Sequence, residues 1–106
     1  AELTSLDLAS NQLCGLDRWG DGTYTAEGIT SIADALRVNA SLTSLDLSWN
    51  QIDAEGAKPL ADALCVNASL TALDMRVNDL GDEGKQMLQQ AVKGRRGFDL
   101  KVEQHL

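Results

Sequence analysis

Apolar and polar residues alternate in three short stretches, carrying Leu6 and Leu8, Leu45 and Leu47, and Leu73 and Met75. A period of two predicts a short strand with these side chains on its inner face. Each stretch is followed by an asparagine, at Asn11, Asn50 and Asn78. An asparagine amide both donates and accepts, so it can serve backbone groups where the chain bends out of a strand. The next apolar residue (Leu13, Ile52, Leu80) turns back inside.

The period then changes. Ile29, Ile32, Ala33 and Leu36 fall at i, i+3, i+4 and i+7, and Ala57, Leu60, Ala61 and Leu64 repeat that set. This spacing predicts amphipathic helices. Thr25, Asp53 and Gly81 or Asp82 stand where helix caps are expected. Asn39, Asn67 and Gly94 stand where a left-handed residue ends a helix. Pro59 lacks a backbone donor, so the second helix is expected to begin late or with an irregular first turn.

Strand and helix patterns recur together. Leu42 and Leu70, Asn50 and Asn78, and the Ala54-Glu55-Gly56 and Asp82-Glu83-Gly84 triplets are each separated by 28 residues. Leu3 and Leu42 are 39 apart, which places an insertion at 15–25. Near the end, matching Phe98 and Leu100 to Leu73 and Met75 gives a shortened last step of 25 residues. A fixed period of this size predicts stacked units. The expected organisation is one domain over residues 1–106, with about three repeats and a terminal strand. The sequence starts without Met inside the repeat phrase, as expected of a piece of a longer protein.

The phrases Leu3-Thr-Ser-Leu-Asp-Leu-Ala-Ser-Asn-Gln-Leu13, Leu42-Thr-Ser-Leu-Asp-Leu-Ser-Trp-Asn-Gln-Ile52 and Leu70-Thr-Ala-Leu-Asp-Met-Arg-Val-Asn-Asp-Leu80 resemble the leucine-rich repeat family in its LxxLxLxxNxL form. The length and the helix in each unit are similar to the ribonuclease-inhibitor subtype, which also occurs in NACHT-type immune receptors and Ran GTPase-activating proteins. The resemblance implies an α/β right-handed solenoid, a horseshoe segment with parallel strands on the concave face and helices on the convex face. It also implies a binding scaffold whose partner the fold does not name.

Composition narrows the function. The net charge is −7, which argues against nucleic acid as a partner. Charge is segregated: residues 1–84 sum to −10 and residues 85–106 to +3. No apolar run approaches the roughly 20 residues that span a bilayer, so no membrane association is expected. Cys14 and Cys65 sit at non-equivalent repeat positions, which favours a reducing, cytoplasmic setting over a disulfide.

Strand residues pointing away from the core form columns, one rung per repeat, about 4.8 Å apart. One column reads Asp7, Asp46, Asp74 and Asp99; a second reads Ala9, Ser48, Arg76 and Lys101; a third reads Ser5, Ser44, Ala72 and Gly97. Stacked carboxylates raise one another's pKa and attract a basic partner, although aspartate is also common at this place in the repeat phrase. Arg76 and Lys101 partly neutralise the column. Trp49 replaces a small or aliphatic residue, Ser10 or Val77, and is a candidate interface anchor. The insertion supplies two more aromatics, Trp19 and Tyr24, on a glycine-rich loop. Asp17, Asp21, Gly22 and Glu27 resemble a calcium loop only in part, because Trp19 and Gly28 stand at ligand places.

The remaining candidates are weaker. Asn39-Ala40-Ser41 and Asn67-Ala68-Ser69 satisfy the N-glycosylation rule but fall where structure explains them. Lys93, Arg95, Arg96 and Lys101 form a small basic group at the solenoid end. His105 is the only histidine, and it has no nucleophile and acid arranged around it. The sequence therefore predicts no enzyme, catalytic residue, metal or cofactor. It predicts a protein–protein scaffold binding through Asp7, Asp46, Asp74, Asp99, Trp49, Arg76, Trp19 and Tyr24. Regulation of a small GTPase is the alternative the resemblance implies, and a structural segment of a larger receptor is a third. The first strand is an open edge, so edge-to-edge self-association is also expected.

Overall fold

The computed structural model describes residues 3–11 and 27–102. The insertion with Trp19 and Tyr24, the cap at Thr25, and Leu13, Cys14 and His105 lie outside the described residues. Strands and helices alternate: β1 (Ser5–Asp7), α1 (Glu27–Val38), β2 (Ser44–Asp46), α2 (Ala54–Val66), β3 (Ala72–Asp74), α3 (Gly81–Ala91) and β4 (Asp99–Lys101). The four strands form one parallel sheet in the order β1-β2-β3-β4. Each helix is the crossover that a parallel step requires. The helices pack in the same sequence, α1 on α2 and α2 on α3. This is the architecture of a leucine-rich repeat α/β solenoid.

The core lies between the two layers. Leu45, Leu47, Leu73 and Met75 enter from the strand side and are fully or almost fully buried. Ile29, Ala33 and Leu36 of α1 and Ala57, Leu60, Ala61 and Leu64 of α2 meet them from the helix side. Burial of each large aliphatic side chain contributes about 1.5–3 kcal/mol. Gly84 marks a close approach: a Cβ there would lie 3.1 Å from Leu80 Cβ and 3.3 Å from Ala54 Cα.

The bends are held by asparagine. Asn50 Nδ2 donates to Leu8 O (2.9 Å), Leu47 O (3.1 Å) and Ser48 O (3.0 Å), while its Oδ1 accepts from Asn11 N (2.9 Å). One repeat on, Asn78 Nδ2 donates to Leu47 O and Met75 O, and its Oδ1 accepts from Asn50 N and Ile52 N. Both side chains are buried. Each spans two units, so neighbouring repeats are joined by polar side chains as well as by core contact.

Four sequence expectations are corrected. Pro59 does not delay α2, which begins at Ala54 and runs through the proline to Val66. Packing on both flanks outweighs the lost backbone hydrogen bond. Asn67 is extended (φ −85, ψ 125) instead of left-handed, and Asn39 also lacks a positive φ. Their side chains close the turn: Asn39 Oδ1 accepts from Ser41 N and Leu42 N, and Asn67 Oδ1 accepts from Ser69 N and Leu70 N. The third helix has no side-chain cap, and Gly81 enters it with φ +64, whereas Asp53 caps α2 by accepting from Gly56 N at 3.0 Å. Finally, β4 pairs Asp99 with Ala72, Leu100 with Leu73 and Lys101 with Asp74. The last step is therefore 27 residues, and Val102, instead of Leu100, falls in register with Met75.

Candidate functional site

The strand face carries the charged column, and the β4 register changes its membership. Asp7, Asp46 and Asp74 are in register. The fourth rung is Lys101, while Asp99 stands in the neighbouring column beside Ala72. The ladder of four carboxylates expected from the sequence is three carboxylates closed by a cation.

Each aspartate has a local task. Asp7 Oδ1 accepts from Ala9 N at 2.9 Å, Asp46 Oδ1 from Ser48 N at 2.9 Å, and Asp74 Oδ1 from Arg76 N at 3.0 Å. An aspartate side chain that accepts from the amide two residues on fixes the turn leaving a strand. Aspartate in the repeat phrase is thereby explained by the fold, and each carboxylate keeps a second oxygen.

That second oxygen differs between rungs. On Asp74 it is taken by Arg76, whose Nε donates to Oδ1 at 3.0 Å and Nη2 to Oδ2 at 2.8 Å. Burial alone would raise the Asp74 pKa, but the hydrogen bonds and charge of Arg76, with Lys101 nearby, bring it below the ordinary carboxylate value. Arg76 is correspondingly held protonated, first by its hydrogen bond to Asp74. Repulsion within the column thus does not govern Asp74. At Asp46 the Ser48 hydroxyl adds a bond to Oδ1 (2.7 Å), leaving Oδ2 for other partners. Lys101 lies 3.6 Å from Asp99 in an exposed contact. A shallow concavity of about 180 Å³, lined by Ser44, Asp46, Ala72, Asp74, Asp99 and Lys101, runs across these rungs.

Trp49 stands at the turn beyond β2 and is 56% exposed. Its backbone is left-handed (φ 60), as are those of its repeat equivalents Ser10 (φ 58) and Val77 (φ 57). The turn demands this conformation in every unit. It disfavours any residue with a Cβ, most of all bulky and β-branched ones. Trp49 is thus both strained and uncovered.

The basic group and the sequons are largely structural. Asn39, Asn67 and Arg95 stand 28 residues apart. Asn67 Nδ2 donates to Leu36 O (2.7 Å) and Asn39 O (3.0 Å). Arg95 reaches the equivalent carbonyl, Leu64 O, at 3.0 Å and adds Leu70 O at 2.6 Å, with its guanidinium 4.9 Å from the Phe98 ring centre. Ser41 and Ser69 hydroxyls donate back to Leu3 O and Leu42 O. Sequence reasoning grouped Arg95 with Lys93 and Arg96 and missed this role, although the 28-residue spacing was the available signal. On the helix side, a groove of about 490 Å³ between α2 and α3 is lined by Lys58, Asp62, Glu83, Met87 and the exposed thiol of Cys65.

Among the described residues, no cluster of three or more His, Cys, Asp or Glu could hold a metal ion. Among the same residues, no helix is long and apolar enough to cross a membrane.

Parallel sheet, repeating asparagine joints and a 28-residue period define a solenoid of strand–turn–helix units. Two segments, residues 38–61 and 66–88, match the family described as Leucine Rich repeat. Those two segments are leucine-rich repeats, and the chain has the leucine-rich repeat fold. Among solved structures it is similar to the tropomodulin C-terminal domain of Caenorhabditis elegans, with 16% identity and a TM-score of 0.77. That likeness covers 96% of this chain and 56% of the tropomodulin chain, and it speaks for the fold alone. No curated protein matches.

Proposed function

We propose that the chain binds a protein partner on its strand face, with Asp7 and Asp46 as anionic rungs and Trp49 as the apolar anchor. The observation that carries the reading is Trp49: a large ring, 56% exposed, on a backbone with φ 60 that glycine or asparagine would adopt at lower cost. An indole held in a strained and uncovered position is better explained by contact with a partner than by folding. Asp7 and Asp46 lack the bidentate arginine that occupies Asp74, so they remain available to a basic side chain. Arg76 limits the acidic stretch to the first two rungs. The stacked strands hold these groups rigid before binding, so little ordering entropy is lost. A reducing compartment, where Cys65 stays a thiol, belongs to the same proposal.

Affinity capture from an extract of the source cells tests it. Wild type is compared with Trp49→Ala, Asp46→Lys and, as a helix-side control, Asp62→Lys. Loss of the same captured protein with the first two variants, and its retention with the third, is the expected result. Equal capture by all four proteins removes the strand face from consideration.

A further inference from the structure

The concavity on the strand face has a small floor and one unmatched charge. Its walls are Ser44 and Asp46 of β2, Ala72 and Asp74 of β3, and Asp99 and Lys101 of β4, around about 180 Å³. Register explains the hollow: Ala72 stands between Ser44 and Asp99, so a methyl group is flanked by polar side chains. The three carboxylates are not equivalent. Asp74 is clamped by Arg76 at 2.8 Å, and Asp99 has Lys101 at 3.6 Å. Three carboxylates against two cations leave one negative charge, and it falls to Asp46.

Asp46 Oδ1 is already used. It accepts from Ser48 N at 2.9 Å and from the Ser48 hydroxyl at 2.7 Å, and among the described residues no donor is set on Oδ2. The next repeat shows what such a rung accepts. Asp74 is the register partner of Asp46. On it, Oδ1 takes Arg76 N and Arg76 Nε, while Oδ2 takes Arg76 Nη2 at 2.8 Å. At the equivalent of Arg76 the Asp46 unit has Ser48, which reproduces the bond to Oδ1 and is too short to reach round to Oδ2. A guanidinium contact is thus built into the Asp74 rung and missing from the Asp46 rung. Asp46 and Asp99 also act on Arg76: after its hydrogen bond and charge interaction with Asp74, their fields help hold it protonated.

We infer that the hollow seats one arginine side chain of the protein partner, its guanidinium lying over Ala72 and donating to Asp46 Oδ2. This rests on the strand-face binding proposed above and names the group that binds there. A guanidinium is planar, carries donors around its edge and is weakly hydrated, so it suits a shallow hollow walled by acceptors. An ammonium is a strongly hydrated point charge and loses more water for fewer bonds. Lys101 on the far wall repels a second cation, so a single arginine is taken in preference to a basic run.

Two blocked tripeptides, acetyl-Gly-Arg-Gly-amide and acetyl-Gly-Lys-Gly-amide, test this when titrated into isotope-labelled protein at constant ionic strength. The arginine peptide gives saturable amide shifts at Ser44, Asp46 and Ala72 and binds roughly fivefold tighter than the lysine peptide. Asp46→Asn keeps an acceptor for Ser48 N, and Ala72→Leu fills the floor without changing any charge. Each, confirmed folded by circular dichroism, weakens the arginine peptide by roughly fivefold or more. Equal binding of the two peptides, wild-type binding by Ala72→Leu, or shifts that never saturate overturns the inference. Adding Ala72→Leu to the capture from extract separates the two readings. A protein lost with Asp46→Lys and kept with Ala72→Leu leaves strand-face binding standing and overturns the arginine seat, whereas loss with both supports it.

Discussion

Arg95 and Asn67 reach equivalent carbonyls one repeat apart. Asn67 Nδ2 donates to Leu36 O at 2.7 Å, and Arg95 Nη1 donates to Leu64 O at 3.0 Å. Leu36 and Leu64 are themselves 28 residues apart, so an arginine has replaced an amide as the donor to that carbonyl. Hydrogen bonds from a charged donor contribute about 1.5–3 kcal/mol. Arg95→Ala should therefore lower stability by about 2 kcal/mol, read as an earlier midpoint in urea. Arg95→Lys should recover little, since one ammonium lacks the fork that reaches Leu64 O and Leu70 O together. A lysine variant as stable as wild type would assign the effect to charge alone.

Pro59 lies inside α2, well past its first turn. Proline in a helix interior costs about 3 kcal/mol relative to alanine, and about 0.4–1 kcal/mol of this is returned through the unfolded chain. Pro59→Ala should raise stability by about 2 kcal/mol. Thermal unfolding measures it, and an unchanged Tm would show that the helix had already relaxed around the ring.

Val77 and Trp49 share a left-handed backbone. Val77→Asn should gain about 1 kcal/mol by relieving a β-branched residue at positive φ. Trp49→Asn should gain stability for the same reason and lose the captured partner. A Trp49→Asn protein that is less stable than wild type would show that the indole packs for folding, contrary to the function proposed for it.

Asp74 has its carboxyl pKa lowered in the folded chain, against burial and through Arg76. A depressed folded pKa stabilises above the unfolded carboxyl value and is lost as pH falls through the folded value. Arg76→Ser should therefore reduce Tm slightly at neutral pH and leave it unchanged in acid, once Asp74 is protonated in both proteins. The effect is small because the pair is open to solvent. A Tm difference of the same size at both pH values would indicate lost packing by the arginine stem.

Most of the fold was legible because apolar period and repeat length agree. Leu45, Leu47, Leu60 and Leu64 were placed in the core by spacing alone and are buried there. The register of β4 was not legible. Phe98, Leu100 and Val102 alternate over three positions, so a shift of two residues keeps the same face inward and pattern cannot choose. Burial of Val102 and the stacking of Arg95 on Phe98 accompany the register adopted. At the candidate site, the rungs Asp7, Asp46 and Asp74 and the exposed Trp49 followed from sequence, whereas Asp99 did not fall in their column. The bidentate grip of Arg76 on Asp74 did not, because residues two apart on a strand share a face without their side chains being fixed on each other.

The asparagine joints bear on how such a chain lengthens. Asn50 reaches Leu8 O in the preceding unit, while its own backbone N–H goes to Asn78 of the next. The Asn50 unit thus carries both halves of its joint. A tandem duplication in frame would produce a copy that already mates with its parent on each side, with no compensating change elsewhere. Growth by whole units then keeps the joints intact, and selection is left to act on outward positions such as 49, where one copy has departed from its siblings.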